Sequence, residues 1–338
     1  MKLEGKGNIS KRKKDHIDLA FNSRTGLPEQ DIRFNYEPLL AGHSDKPLEP
    51  FKFLGKEVRN PMWVSSMTGG TGDARHINQN LAKACNEFGF GMGLGSCRPL
   101  LESDEFFEDF NLRPVIGDDL PFYANLGIAQ LEEMVQKKET AKITDLVERL
   151  KADGLIIHVN PLQEWLQPEG DHFSKPPIDT IAAVIDLTGL SIIVKEVGQG
   201  MGPESLRALM KLPVLAIEFG AYGGTNFAKL ELHRSDESKR SYYEPISKIG
   251  HNAFEMVEFI NQISKEEGIR DKDLIVSGGI TSFIDGYYLV RRSELTAVYG
   301  QASSFLRHAK ESYDQLQEYI KYQINGLKLA ESYFRLKS

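Results

Sequence analysis

Eight short apolar runs punctuate this chain, and stretches of helical spacing separate them. The runs are NPMWVSSM, FGFGMGLGS, PFYANLG, DGLIIHVN, SIIVKEVG, VLAIEFGA, DLIVSGGI and LTAVYGQA. Each is nearly continuous in apolar residues, the pattern of a strand buried on both faces of a parallel sheet. Between them lie amphipathic stretches such as ARHINQNLAKACNEF, ETAKITDLVERLKA and PESLRALMKL. Eight strand–helix alternations predict an α/β fold, a closed (β/α)8 TIM barrel. A doubly wound open sheet is the alternative, but it usually has fewer strands and needs a switch point. The length of 338 residues lies within the span of such barrels, roughly 200 to over 400 residues.

The first run starts near Met62, so residues 1–60 form an N-terminal segment ahead of a barrel at residues 61–338. That segment is expected to hold two basic or mixed helical stretches and the connection EPLLAGHSDKPLEPF. The end, HAKESYDQLQEYIKYQINGLKLAESYFRLKS, has helical spacing and is expected to be a C-terminal helix on the outside of the barrel.

Composition excludes several function classes. A net charge of −7 argues against general binding to nucleic acid or anionic membranes. No apolar run approaches the roughly 18 residues of a membrane span. The N-terminus MKLEGKGNISKRKKDH is basic but lacks the apolar part of a signal peptide. Two cysteines, Cys85 and Cys97, make neither a disulfide framework nor a cysteine zinc site, so the expected compartment is the reducing cytoplasm.

In a barrel the chemistry sits in the loops after the strands. Here those loops begin SSMTGGTGD, GSCR, ANLG, HVNPLQE, KEVGQG, EFGAYGGTN, SGGIT and GQASS. Strand alternation puts His158 and Asn160 on one face, and Lys195 with Ile193 on one face of the next strand. Glycine-rich SGGIT and YGQA follow the last two strands, the usual place for a barrel's phosphate site, where backbone N–H groups and a helix N-terminus favour an anion. No G-x-x-x-x-G-K-[ST] stretch occurs, which excludes a P-loop NTPase.

With those residues in view, the chain resembles the type 2 isopentenyl-diphosphate delta-isomerases, FMN-dependent barrel enzymes of isoprenoid biosynthesis. The likeness runs through RKKDH, SSMTGG, GSCR, ANLG, HVNPLQE, KEVGQG, GGTNFA and SGGI in family order. The His-x-Asn-x-x-Gln-Glu stretch joined to the N-terminal Arg-Lys-x-x-His is the specific part; strand-end glycines are shared with other flavin barrels.

The resemblance implies roles. Arg12, Lys13, His16 and Arg98 would grip the diphosphate by charge-assisted bonds, so the N-terminal segment would cap the barrel and contribute to the substrate site. His158, Asn160 and Gln163 would complete that site, with Gln163 catalytic, opposite the flavin. Glu164 would hold Mg²⁺, which takes one or two carboxylates plus phosphate oxygens and water. FMN would contact Ser66, Met67, Thr68, Ser96, Asn125, Lys195 and Thr225, with its phosphate on Gly278, Gly279 and Ala302. Reduced FMN would act as acid and base in moving the double bond, and NADPH would serve as the reductant that primes it. An amide is a very weak base, so Gln163 is read as positioning or relaying a proton. The resemblance also implies a homo-oligomer, a tetramer or octamer, acting on a small-molecule diphosphate.

Two departures stand out. Thr281 occupies the place after SGGI where the family usually carries arginine, leaving Ser282, Ser303 or Ser304 as hydroxyl donors. Gly202 also stands where serine is common. Two rival readings share the barrel: a flavin oxidoreductase acting on a hydroxy acid or nucleobase, and a non-catalytic barrel that binds a phosphorylated ligand. The first normally needs a late histidine or cysteine base, and neither of the last two strand ends offers one.

Overall fold

All eight apolar runs become strands, and they close on one another. The computed structural model describes residues 13, 15, 16, 18–43, 45–66 and 74–337. The strands are β1 (Met62–Val64), β2 (Gly91–Gly93), β3 (Phe122–Gly127), β4 (Gly154–Val159), β5 (Ile192–Glu196), β6 (Ala216–Glu218), β7 (Asp273–Ser277) and β8 (Ala297–Gln301). Each pairs in parallel with its neighbours, and β8 returns to β1 through Tyr299↔Met62, Gly300↔Trp63 and Gln301↔Val64. The open-sheet alternative is thereby excluded.

The reason the runs read as continuously apolar is visible in β4 and β5. Leu155, Ile156, Ile157, Ile192, Ile193 and Val194 are all fully buried, one set filling the barrel and the other packing under helices. The amphipathic stretches form helices Ala74–Phe88, Ala141–Arg149 and Pro203–Lys211, within three residues of their expected bounds.

The described part of the N-terminal segment is less helical than expected. Helical backbone occurs among described residues 13–20, but the described residues from 21 to 58 hold only a single 3-10 turn, Leu27–Glu29, and three short strands. Phe51–Phe53 and Lys56–Val58 form a hairpin that plugs the end of the barrel where strands begin. Its turn residue Leu54 donates its N–H to Asp273 at the start of β7 (2.6 Å), and Lys56 pairs with Asp153 just before β4 (2.6 Å). Phe53 and Trp63 meet edge to face inside that plug. The remaining strand, Phe34–Tyr36, pairs antiparallel with Phe334–Leu336. The C-terminal helix is therefore Tyr313–Tyr333, and the last apolar residues leave it to pair with the other end of the chain. Helical periodicity cannot report a strand pairing whose partner lies at the opposite terminus.

Among the described residues, no helix is long and apolar enough to cross a membrane.

Candidate active site

Two cavities open side by side where the strands end. The smaller, about 210 Å³, is lined by the ends of β1, β5, β6, β7 and β8; the larger, about 420 Å³, by the ends of β1 to β5. Ser66, Lys195, Val197 and Phe227 line both, so the two form one continuous mouth.

The smaller cavity is built for an anion. After β7 the chain needs two consecutive left-handed residues, Gly278 (φ 91°) and Gly279 (φ 72°). A Cβ at Gly278 would stand 2.1 Å from the carbonyl oxygen of Ala221, so only glycine permits that approach. After β8, Ala302 opens helix Ser303–Glu311 without a side-chain cap, leaving its first N–H groups free beside Ser303 and Ser304. Thr281, by contrast, turns its hydroxyl to Asp285 (2.9 Å), which also receives Ser282 (2.8 Å) and Arg33 (2.9 Å). Lys195 is the sole cation among the described lining residues. Ser65 and Ser66 bring buried hydroxyl oxygens that meet no partner.

The larger cavity carries the acid and amide groups. Pro161 starts helix Pro161–Leu166 directly off β4, its missing N–H costing nothing at that position. The helix is held by a small apolar cluster in which Leu166 packs with Ala228 and Leu232 of helix Phe227–Arg234. Asn160 sits before the helix without capping it, and its side chain serves its neighbours instead. Its Nδ2 donates to Gln163 Oε1 (3.1 Å) and Glu164 Oε1 (2.8 Å), while its Oδ1 is buried without a partner. Glu164 Oε2 accepts the Asp171 backbone N–H (2.9 Å).

His158, Lys195 and Glu218 occupy matching places on β4, β5 and β6. Burial, reinforced by the charge of Lys195, pulls the His158 imidazole down to about 3, so the ring is neutral. Asn125 donates to Leu94 O (2.9 Å), which leaves its Oδ1 to accept from His158 Nδ1 (2.8 Å). The proton of the neutral ring therefore sits on Nδ1. Lys195 is 7% exposed and donates to Glu196 O at 2.8 Å.

The structure divides the residues singled out from sequence between the two cavities. Thr225, Gly278, Gly279 and Ala302 line the smaller cavity; Ser96, Arg98, Asn125, His158, Asn160, Gln163 and Glu164 line the larger; Ser66 and Lys195 line both. Lys13 and His16 are exposed and line neither. Arg12, Met67 and Thr68 lie outside the described residues. Among the described residues, no group of three or more histidine, cysteine or acidic side chains could hold a metal ion alone.

Sequence reading missed three contributors. Phe227 walls both cavities. Asp171 folds back so that its carboxylate receives Gln130 (3.2 Å) and lies 3.9 Å from Arg98. A turn that returns seven residues later carries no periodic signal. The third, Glu218, stood in plain sight as the one acid within VLAIEFGA.

No family model matches the chain. Curated relatives do. An isopentenyl-diphosphate delta-isomerase of Rickettsia africae is 34% identical, covering 94% of this chain and 91% of the relative. The protein of that name from Rickettsia typhi is 32% identical over 97% and 94%. Among solved structures, a flavocytochrome b2 variant with pyruvate bound superposes with a TM-score of 0.61 at 15% identity, covering 88% of this chain and 71% of that one. A mandelate oxidase variant with an FMN adduct gives 0.55 at 14%, covering 90% and 88%. At such identities these two structures speak for the barrel alone.

Proposed function

The chain belongs to the type 2 isopentenyl-diphosphate delta-isomerase family, and we propose that it interconverts isopentenyl and dimethylallyl diphosphate by a 1,3-allylic proton shift, with FMN and Mg²⁺ bound. The observation that carries this reading is the shared wall of the two cavities. An anion cradle and a Gln–Glu helix face one another across Ser66 and Lys195.

The residues present fit FMN. The glycine pair and the uncapped helix suit a phosphate, and the unpartnered Ser65 and Ser66 hydroxyls suit a polar ring edge. Ser66, Ser96, Asn125, Lys195, Thr225, Gly278, Gly279 and Ala302 would hold it, with Met67 and Thr68 from the stretch between β1 and its helix. FMN in its reduced form, with NADPH as the reductant, would supply a proton-exchanging group at the alkene. Lys195 presents a buried positive charge that is costly without an anion beside it.

Each protein group then has one task. Gln163 is fixed by Asn160, so its amide can orient or relay the proton on the far side of the alkene. His158 stays neutral and adds no charge beside Lys195. Arg98 binds diphosphate, joined by Arg12, Lys13 and His16, whose early stretch of the N-terminal segment would cap the mouth on substrate binding while the later hairpin stays at the opposite end. Glu164 would contribute one carboxylate to Mg²⁺, an ion that takes its remaining ligands from phosphate oxygens and water. Phe227 and Val197 keep water from the reacting carbons.

The reading extends to isoprenoid biosynthesis in the cytoplasm and to a tetramer or octamer. The free, buried thiols Cys85 and Cys97 agree with a reducing setting, and exposed Trp165, Leu187 and Ile249 offer apolar contact. The oxidoreductase alternative is the weaker, because β7 and β8 end on Ser277 and Gln301 with no histidine or cysteine base.

The test is the visible spectrum of the purified protein saturated with FMN, followed by an isomerase assay with dithionite-reduced FMN. Turnover with reduced cofactor alone supports the reading. A colourless protein, or a flavoprotein that oxidises hydroxy acids and moves no double bond, refutes it.

A further inference from the structure

We infer that Glu218 is a positioning residue, which sets the charge at the floor of the flavin cavity by offsetting that of Lys195. The inference rests on the proposed binding of FMN.

Glu218 ends β6 with no exposed surface. Its register partner on β5 is Lys195, and Lys195 is in turn the partner of His158 on β4. The three form one row across adjacent strands. On its other side β7 brings Ser277, whose hydroxyl donates to Glu218 Oε1 at 3.4 Å and accepts the Gly220 N–H at 3.0 Å. Ser65 and Trp63 also face the carboxylate. Ser65, Ser277 and Lys195 line the smaller cavity, so Glu218 lies one layer beneath its floor.

A purely structural acid in this place would be saturated with hydrogen bonds. Glu218 is not. Its Oε2 has no partner, and neither Ser65 Oγ nor Trp63 Nε1 completes a bond. A half-satisfied buried network is worse for stability than apolar side chains of the same shape. Alanine, isoleucine and phenylalanine around it show that this strand otherwise has apolar residues. What the acid adds here is electrostatic. Burial pushes the Glu218 carboxyl up, against the pull of Lys195 first and of the polar groups of Ser65, Ser277 and Trp63 that face it after that. Lys195 is the charge that both the carboxylate below and an anionic cofactor above would share.

The consequence is a bias between two cofactor states. With Glu218 present, part of the Lys195 field is offset by the protein's own carboxylate, so negative charge on the cofactor gains less from it. Removing the carboxylate's charge frees Lys195 for the cofactor and favours the reduced, more anionic state.

The experiment compares the parent chain with Glu218→Gln and Glu218→Asp, each loaded with FMN and titrated to its midpoint potential. Glu218→Gln is expected to favour reduced over oxidised FMN about tenfold more than the parent, which is about 30 mV for a two-electron couple. Glu218→Asp, which keeps the charge, is expected to stay at the parent potential. A Gln variant that binds FMN at the parent potential overturns the inference and leaves the FMN reading standing. A parent chain that binds no FMN overturns the FMN reading itself. Should Glu218→Gln fail to fold, infrared difference spectra of the parent with isotope-labelled glutamate decide. A labelled carboxylate band that shifts on flavin reduction supports the role, and a labelled band of the neutral acid in both flavin states, or no shift, overturns it.

Discussion

Asn160 donates its Nδ2 to Glu164 Oε1 at 2.8 Å, one helical turn away. The same nitrogen holds Gln163 Oε1 at 3.1 Å, so one amide orients both side chains. Successive residues on a helix point about a third of a turn apart, so Gln163 and Glu164 leave one anchor in different directions, as the two proposed roles require. Their roles should separate in kinetics. Gln163→Ala should lower kcat about a hundredfold, the scale of a proton-transfer group, with the Mg²⁺ response unchanged. Glu164→Gln should raise the Mg²⁺ concentration needed for half-maximal rate, because an amide is a poor ligand for a hard cation. Equal modest losses with unaltered Mg²⁺ response in both variants would falsify the division of roles.

Lys195 is the single cation at the junction of the two cavities among their described shared residues. Lys195→Ala should weaken FMN binding by about tenfold to a hundredfold, the worth of one charge-assisted bond. Far-ultraviolet circular dichroism should be unchanged. Equilibrium fluorescence titration of FMN reads the affinity directly, and a variant with parental affinity assigns the lysine another task.

His158 has a definite acid-side signature. Its ordinary value is 6.5, and burial with the Lys195 charge brings it to about 3 in the folded chain. Between those values the unfolded chain binds a proton that the folded chain refuses. Stability therefore rises with pH across that window, and is lost as pH falls from 6.5 towards 3. His158→Gln should flatten this slope, seen as a smaller drop in the denaturation midpoint on acidification. In the parent, the His158 ring resonances should not titrate between about pH 5 and 8, where an unperturbed histidine does.

How much of this was legible in the sequence depends on what kind of contact made it. β4 and β5 were readable because Leu155, Ile156, Ile193 and Val194 are buried whichever way they point, and that leaves an unbroken apolar run. Asn160, Gln163 and Glu164 were readable as a group because Pro161 ends the strand and starts the helix among them. The pairing of Phe34–Tyr36 with Phe334–Leu336 was not, since each half is three residues long and either suits a helix end. Nor was Asp171 over Arg98, which depends on the path of an irregular loop. Glu218 was visible but misleading: a lone acid in a strand reads as an outward-facing residue until the register with Lys195 turns it inward.

Burial alone would raise the Asp285 carboxyl, but Ser282, Thr281 and Arg33 together hold it below the usual range. Thr281 is thus engaged by Asp285 at 2.9 Å, although it also lines the smaller cavity. A phosphate beside Gly279 is left to backbone N–H groups, to Ser303 and Ser304, and to the open helix end, while Lys195 stands at the wall shared with the other cavity. Such a site holds phosphate mainly through short-range dipoles, so FMN affinity in the parent should fall little with added salt. Thr281→Arg adds a cation beside Gly279, while Arg33 and Ser282 still hold Asp285 in place. That variant should bind FMN about tenfold more tightly at low ionic strength, and most of the gain should disappear as salt screens the new pair. Titrations at two ionic strengths read both effects. A Thr281→Arg variant with parental affinity at each would show that the new guanidinium pairs with Asp285 and never reaches the phosphate.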